Sequence, residues 1–347
     1  MTLFPYMSDS TIYLKQGILA RMEKKMSAAA ARIAARIAAR IAAHIAARIA
    51  EIMPTNIRPR LSEIMPTNIR SRIAGALCSI MLAALTVSCV STPQEGFPDP
   101  GVDRIRRETL YFDTLPDALD GYRIALVSDV HLGNNFSVER LGRLVAAVNR
   151  EKPDCVILCG DFILNGAFIE PFAAEAAALY APDGMYAVLG NHDFFDDRAG
   201  TVRALRSVGI MVLEETSAVT PRGLQIAGTN DFQDMYPASA FLADTLRQGF
   251  FTVLASHNPD YAEEGRGELY DLMLSGHNHG GQITLFGFAP ALRSDYGQKY
   301  RSGLVRVGED QIFVTNGAGY GGVGWLRFRL FAPSEFAVLS LRRSVRK

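Results

Sequence analysis

Cysteine is scarce in this chain. Four in 347 residues cannot build a disulfide framework. Cys155 and Cys159 lie at an even spacing in the apolar run DCVILCGD, on one face of a strand, where buried thiols are expected. Net charge is absent too: 36 Lys/Arg balance 36 Asp/Glu, which argues against a nucleic-acid or membrane contact made by the whole protein. The balance is uneven along the chain. Residues 1–92 hold 12 basic and 4 acidic side chains, so this arm carries +8 and the remainder −8. Any contact with a polyanion or a membrane surface therefore belongs to the arm alone. Phe, Tyr and Trp are missing from its basic repeat at residues 31–50, which removes the stacking platform that single-stranded nucleic acid needs. No nucleic-acid partner is expected.

In that repeat, Arg32, Arg36, Arg40, His44 and Arg48 recur at every fourth position, each followed by isoleucine. A period of four drifts against the 3.6-residue turn, so the two stripes spiral around any helix that forms. EIMPTNIR then occurs twice, at Glu51 to Arg58 and Glu63 to Arg70. Residues 1–72 read as a low-complexity basic arm without chemistry of its own, and His44 fills an arginine slot rather than a ligand position. From Ile73 to Gln94 no residue is charged, and Arg70 and Arg72 precede the run. Residues 73–92 read as a signal peptide or a membrane anchor. Restarted at Met65, the stretch is similar to a bacterial lipoprotein signal with Cys89 as the lipidated residue. The arginine flank places the remainder of the chain outside the cytoplasm, on the periplasmic side of the cell envelope, with the cytoplasmic face as the alternative. Residues 93–107, rich in proline, glycine and charge, read as a linker, and 108–347 as one globular domain.

Within that domain short apolar runs alternate with amphipathic stretches. Strands are expected at Tyr122 to Val127, Cys155 to Cys159 and Met185 to Leu189, with helices at Ser137 to Arg150, Glu170 to Tyr180 and Arg198 to Ser207. The second half carries strands at Met211 to Glu215, Leu224 to Gly228, Phe251 to Ala255 and Tyr270 to Leu274, and a helix at Ala238 to Gln248. A hairpin about Gly308 and a last strand at Glu335 to Leu341 close the domain. This is an α/β pattern of sheets flanked by helices.

Histidine is sparse as well, yet five of the six, His131, His192, His257, His277 and His279, end an apolar run beside Asp, Asn or Gly. Strand ends are where sheets of this kind collect ligands. Asp129, His131, Asp161, Asn191, His257, His277 and His279 supply carboxylate, amide and imidazole donors, and a shared carboxylate divides the seven into two four-ligand half-sites. Two divalent ions so held can clamp a phosphoryl group and acidify a bridging water to a hydroxide nucleophile. His192 is then left to protonate the leaving oxygen or to stabilise phosphoryl charge. Mixed donors of this kind accept Mn, Fe, Zn, Co or Ni.

The ordered motifs DVH (129–131), GD (160–161), GNHD (190–193), His257 and GHNH (276–279) resemble the calcineurin-like metallophosphoesterase superfamily over about residues 108–341. The resemblance implies a four-layer α-β-β-α sandwich of two mixed sheets. It implies one ion on Asp129, His131, Asp161 and His279, and a second on Asp161, Asn191, His257 and His277. His192 would be the catalytic histidine, with Asp193 orienting its ring. GGQ (280–282) and RSDYGQKYRSGL (293–304) look like the membrane-anchored bacterial branch, whereas the glycine-rich run from Asn316 to Gly322 departs from it, which bears on substrate shape. Arg293, Tyr296 and Tyr300 are further candidates for substrate contact.

These features lead to a dinuclear-metal phosphodiester or pyrophosphate hydrolase at the cell envelope, joined to the membrane by its N-terminal segment. One alternative substrate is a lipid-linked pyrophosphate of the UDP-diacylglucosamine type. An alternative of another class is a non-catalytic metal-binding module that keeps the fold.

Overall fold

The computed structural model describes residues 99–344 apart from 134–135, 230–243, 265–268, 285–286, 291, 293, 309 and 322–328. The basic arm, the expected signal or anchor and Cys89 lie outside these residues, as does most of the expected helix at Ala238 to Gln248. Among the described residues no helix is long and apolar enough to cross a membrane.

Among the described residues, twelve strands form two six-stranded sheets. They are β1 (Arg104–Phe112), β2 (Arg123–Val127), β3 (Cys155–Cys159), β4 (Met185–Val188), β5 (Met211–Val212), β6 (Thr216–Val219), β7 (Gln225–Gly228), β8 (Thr252–Ala255), β9 (Leu272–Ser275), β10 (Gly303–Val307), β11 (Asp310–Val314) and β12 (Glu335–Arg343). The first sheet runs β1-β12-β2-β3-β4-β5 and the second β10-β11-β9-β8-β7-β6. Both are mixed: β2 to β5 are parallel and β12 opposes β2, while β7, β8, β9 and β11 are parallel and β6 and β10 oppose their neighbours.

Side-chain alternation along the strands divides the core. Ile124 and Leu126 of β2, Ile157 of β3, Val253 of β8 and Leu272 and Leu274 of β9 meet between the sheets. Ala125, Val127, Val156 and Leu158 face the other way, under the helices. Leu254 and Met273 join a third cluster with Tyr261 and Tyr300 on the outer face of the second sheet. A one-residue slip in β2 or β9 would exchange these faces, so the apolar core specifies the register that presents the strand ends. Cys155 and Cys159 are buried thiols in the layer between the sheets, as their spacing suggested.

Among the described residues, helices α1 (Val138–Arg150), α2 (Ile169–Ala176) and α3 (Asn191–Ser207) accompany the first sheet. Leu141, Leu144, Val145 and Val148 form the buried stripe of α1, and the Ser137 side chain accepts from Arg140 N at 3.2 Å to cap it. α3 starts seven residues before the expected helix. Its backbone breaks at Asp197, whose carboxylate accepts from Gly200 N at 2.8 Å and caps the part that the sequence does foretell.

The domain also begins earlier than expected. Val102 is buried, and β1 pairs in parallel with β12 from Arg104, inside the stretch read as linker. As an edge strand, β1 faces water with much of RIRRETLYF, so its charges mimic a linker. Arg104 pairs with the buried Glu335, and Arg107 with Glu151.

Leu126 is fully buried between the sheets. Leu126→Ala should cost about 2–5 kcal/mol in denaturant unfolding of the full chain, with the m-value unchanged. A loss below about 1 kcal/mol would mean that the sheets do not pack as described.

Candidate metal centre

Five strands of the two sheets end in the motif residues. β2 leads into Asp129 and His131, β3 into Asp161 and β4 into Asn191, while β8 leads into His257 and β9 into His277 and His279. The chain must turn sharply there to aim side chains inward. Asp129, His131, Asp161, His277 and His279 all have left-handed backbones, with φ between 47° and 66°. Each such residue costs roughly 1–2 kcal/mol, so the surroundings must hold them. Asp129 N donates to Gly160 O at 2.9 Å and His131 N to Asp161 O at 3.0 Å. His192 N donates to Asp161 Oδ1 at 2.9 Å, and His277 N to both oxygens of Asp129 at 3.1 Å. The carboxylates thus orient the loops that carry the imidazoles.

The side chains converge. His131 Nε2 is 3.1 Å from His279 Nε2 and 3.5 Å from Asp161 Oδ2; His257 Nε2 lies 3.3 Å from that same Oδ2; and His279 Nε2 lies 3.4 Å from Asp129 Oδ1. Ligand atoms of Asp129, His131 and His279 fall within 4.8 Å of one another, as do those of Asp129, Asp161 and His257, and those of His131, Asp161 and His192. The His277 ring meets the His257 ring edge-on at 5.2 Å. His192 stands exposed at the rim, its ring edge-on to that of His131 at 4.7 Å.

Electrostatics point the same way. Burial pushes the Asp129 carboxyl up to about 6, with nearby Asp161 adding to the effect against His257. Burial would also raise Asp161, but His257, followed by His131 and His192, holds it well below the usual carboxylate range. Burial pushes His131 down to about 4, and together with His131 and Arg329 holds His279 well below its usual value. Neutral imidazoles beside one firmly ionised and one reluctant carboxylate suit a cation.

The donor set fits divalent ions. The buried Oδ1 of Asn191 accepts no hydrogen bond among the described residues, which suits an amide oxygen directed at a metal. His257 Nδ1 lies 2.7 Å from Cys159 O, a contact that makes Nδ1 the donor and leaves Nε2 as the ligand atom. Arg329 Nη2 lies 3.2 Å from His279 Nδ1, on the side of the ring away from Asp129.

Asp193 differs from its expected part. Its Oδ1 accepts from Phe162 N at 2.8 Å and its Oδ2 from Gly190 N at 3.0 Å, and burial pushes its pKa up to about 7. Those bonds fasten two loops and leave the His192 ring alone, because consecutive side chains at a helix start point apart. Tyr300 is also structural: it is buried, and its OH donates to Glu263 at 2.6 Å. Tyr296 is exposed, and Arg293 lies outside the described residues. Arg329, which contacts His279, was not anticipated; its place among WLRFRL looks like strand alternation.

Gly190 has φ −98°, which any residue accepts, but an added Cβ would sit 2.3 Å from Asp161 Oδ1. Gly190→Ala should keep the secondary structure by circular dichroism and weaken metal binding by at least about tenfold. Binding at wild-type strength would show that Asp161 is not a ligand. The pH response has a defined sign. Asp129 must be ionised to take a cation and gains its proton as pH falls through about 6, whereas His131 resists until about 4. Metal affinity should therefore be nearly flat above pH 6 and fall by about tenfold per unit below it. Calorimetric titration between pH 5 and 8 checks this, and a flat profile throughout would contradict it.

The sequence pattern of calcineurin-like phosphoesterases matches residues 122–281. Phosphodiesterase YaeI of Escherichia coli (strain K12) is 31% identical over 238 residues, which cover 64% of this chain and 83% of YaeI. The metallophosphoesterase YkuE of Bacillus subtilis (strain 168) is 28% identical over 252 residues, 70% of this chain and 87% of YkuE. UDP-2,3-diacylglucosamine pyrophosphatase LpxG of Chlamydia trachomatis is 24% identical over 279 residues, 64% of this chain and 84% of LpxG. With the motif residues gathered at one seam between two mixed sheets, this chain belongs to the calcineurin-like phosphoesterase family and is a phosphoester hydrolase.

Proposed function

We propose that the chain hydrolyses a phosphodiester or pyrophosphate with two divalent ions that share Asp161, at the cell envelope. The observation that carries this reading is the single oxygen Asp161 Oδ2, set 3.5 Å from His131 Nε2 and 3.3 Å from His257 Nε2, between two sets of donors. Asp129, His131 and His279 complete one ligand set with it. Asn191, His257 and His277 complete the other. The ions, when bound, supply Lewis acidity toward the phosphoryl oxygens and draw the nucleophile from water.

The chain's own residues do the rest. Asp161 is tied by His192 N, so the shared carboxylate and the rim histidine move as one unit. The exposed His192 ring is placed to hydrogen-bond a phosphoryl oxygen or to give a proton to the departing one. Asp193 fixes the turn on which Asn191 and His192 stand. Placement at the envelope rests on residues 73–92 and the arginines before them, which read as a signal or anchor with the domain outside the cytoplasm.

A second reading has a specific observation in its favour. The likeness to LpxG suggests a lipid-linked pyrophosphate substrate. Envelope topology disfavours it, since nucleotide-linked lipids are handled on the cytoplasmic face, and the greater identity to YaeI favours a general phosphodiester.

The full chain, stripped and reloaded with Mn, should hydrolyse bis(p-nitrophenyl) phosphate. Asp161→Ala should lose metal and activity together, whereas His192→Ala should keep metal and lose about 10²–10⁴ of the rate. Hydrolysis of UDP-2,3-diacylglucosamine but not of the diester would favour the second reading. A loaded wild-type chain that cleaves neither would overturn both.

A further inference from the structure

Arg329 spends its guanidinium on backbone carbonyls around the metal centre. Nη2 donates to Gly319 O at 2.6 Å, Asn316 O at 2.7 Å and Gly317 O at 3.2 Å; Nε donates to Gly319 O at 2.9 Å; Nη1 donates to His279 O at 2.9 Å and Ala332 O at 3.3 Å. Among the described residues no carboxylate lies within ion-pair distance of it. A cation taken out of water is usually paired with an acid. Here carbonyl dipoles from separate loops replace the acid.

Those loops belong to the two sides of one ligand set. His279 follows β9 of the second sheet. The loop 315–319 follows β11 and is laid directly on Asp129, which follows β2 of the first sheet. Ala318 N donates to Ser128 O at 2.9 Å and Gly319 N to Asp129 O at 2.7 Å. At Gly317, with φ 73°, an added Cβ would stand 2.5 Å from Asp129 Cβ. Within the glycine-rich run, Gly317 is thus set by close approach to Asp129 and Gly319 by close approach to Val130 O. Asp129 Oδ1 and His279 Nε2, 3.4 Å apart, come from different sheets, and no β-ladder holds them together.

We infer that Arg329 is a positioning residue: its planar fork clasps the 316–319 loop to His279, and so holds Asp129 and His279 against one ion. The inference rests on the two-metal reading above. A lysine has one ammonium at this place and cannot bridge both loops as the fork does.

The test is metal titration of the stripped full chain with Mn, following stoichiometry and affinity. Wild type is compared with Arg329→Lys, with Arg329→Ala, and with Asn191→Ala, which identifies the other ion by losing it. Arg329→Lys should fold normally by circular dichroism, keep the Asn191-side ion at wild-type affinity and bind the other about 10–100-fold more weakly. Arg329→Ala should show the same selective loss, partly restored by millimolar guanidinium, a rescue that a merely structural role does not produce. Should the alanine variant not fold, the lysine variant decides. Two ions at wild-type affinity in the variants would overturn the inference, and so would equal weakening of both. A wild-type chain that binds fewer than two ions fails the two-metal reading itself and takes this inference with it.

Discussion

Two carboxylates sunk in the seam between the sheets, Asp129 and Asp161, set the terms for everything around them. Buried acids near one another repel, and here one is held well below the usual carboxylate range while the other is pushed up to about 6. The imidazoles of His131 and His279 are held neutral by the same burial. Such an arrangement costs free energy in the metal-free chain. Ion binding would return it, coupling the folding of the strand ends to metal occupancy.

The fold brings the cost within bounds by spreading it over rigid elements. Parallel strands β2, β3 and β4 align three motif loops on one sheet, and β8 and β9 align two more on the other. The apolar layer between the sheets fixes their register. Left-handed backbones at five motif positions turn the side chains inward, and hydrogen bonds from neighbouring loops onto the same carboxylates keep those turns in place. Structure and chemistry therefore rest on the same atoms. Replacing either carboxylate disturbs loop position as well as charge.

Much of this was legible in the chain. An apolar run that breaks into Gly or Ser followed by Asp, Asn or His marks a buried parallel strand and the motif loop after it together, which is why β2, β3, β4, β8 and β9 stood out in the sequence. What escaped was set by distance or by exposure. β1 carries RIRRETLYF on a sheet edge, where charge tells nothing of pairing, and β6 is only half-buried. Asp193 adjoins His192 in sequence but its carboxylate reaches Phe162 N. Arg329 meets His279 across 50 residues, a contact no local pattern encodes.

The central claim is that Asp161 joins two ions at one site. Electron paramagnetic resonance of the stripped full chain, titrated with Mn, tests it most directly. Two ions per chain whose spins are exchange-coupled, as expected at a separation of roughly 3.5–4 Å, would agree with a shared carboxylate. One ion per chain, or two that give the spectrum of isolated Mn, would contradict it.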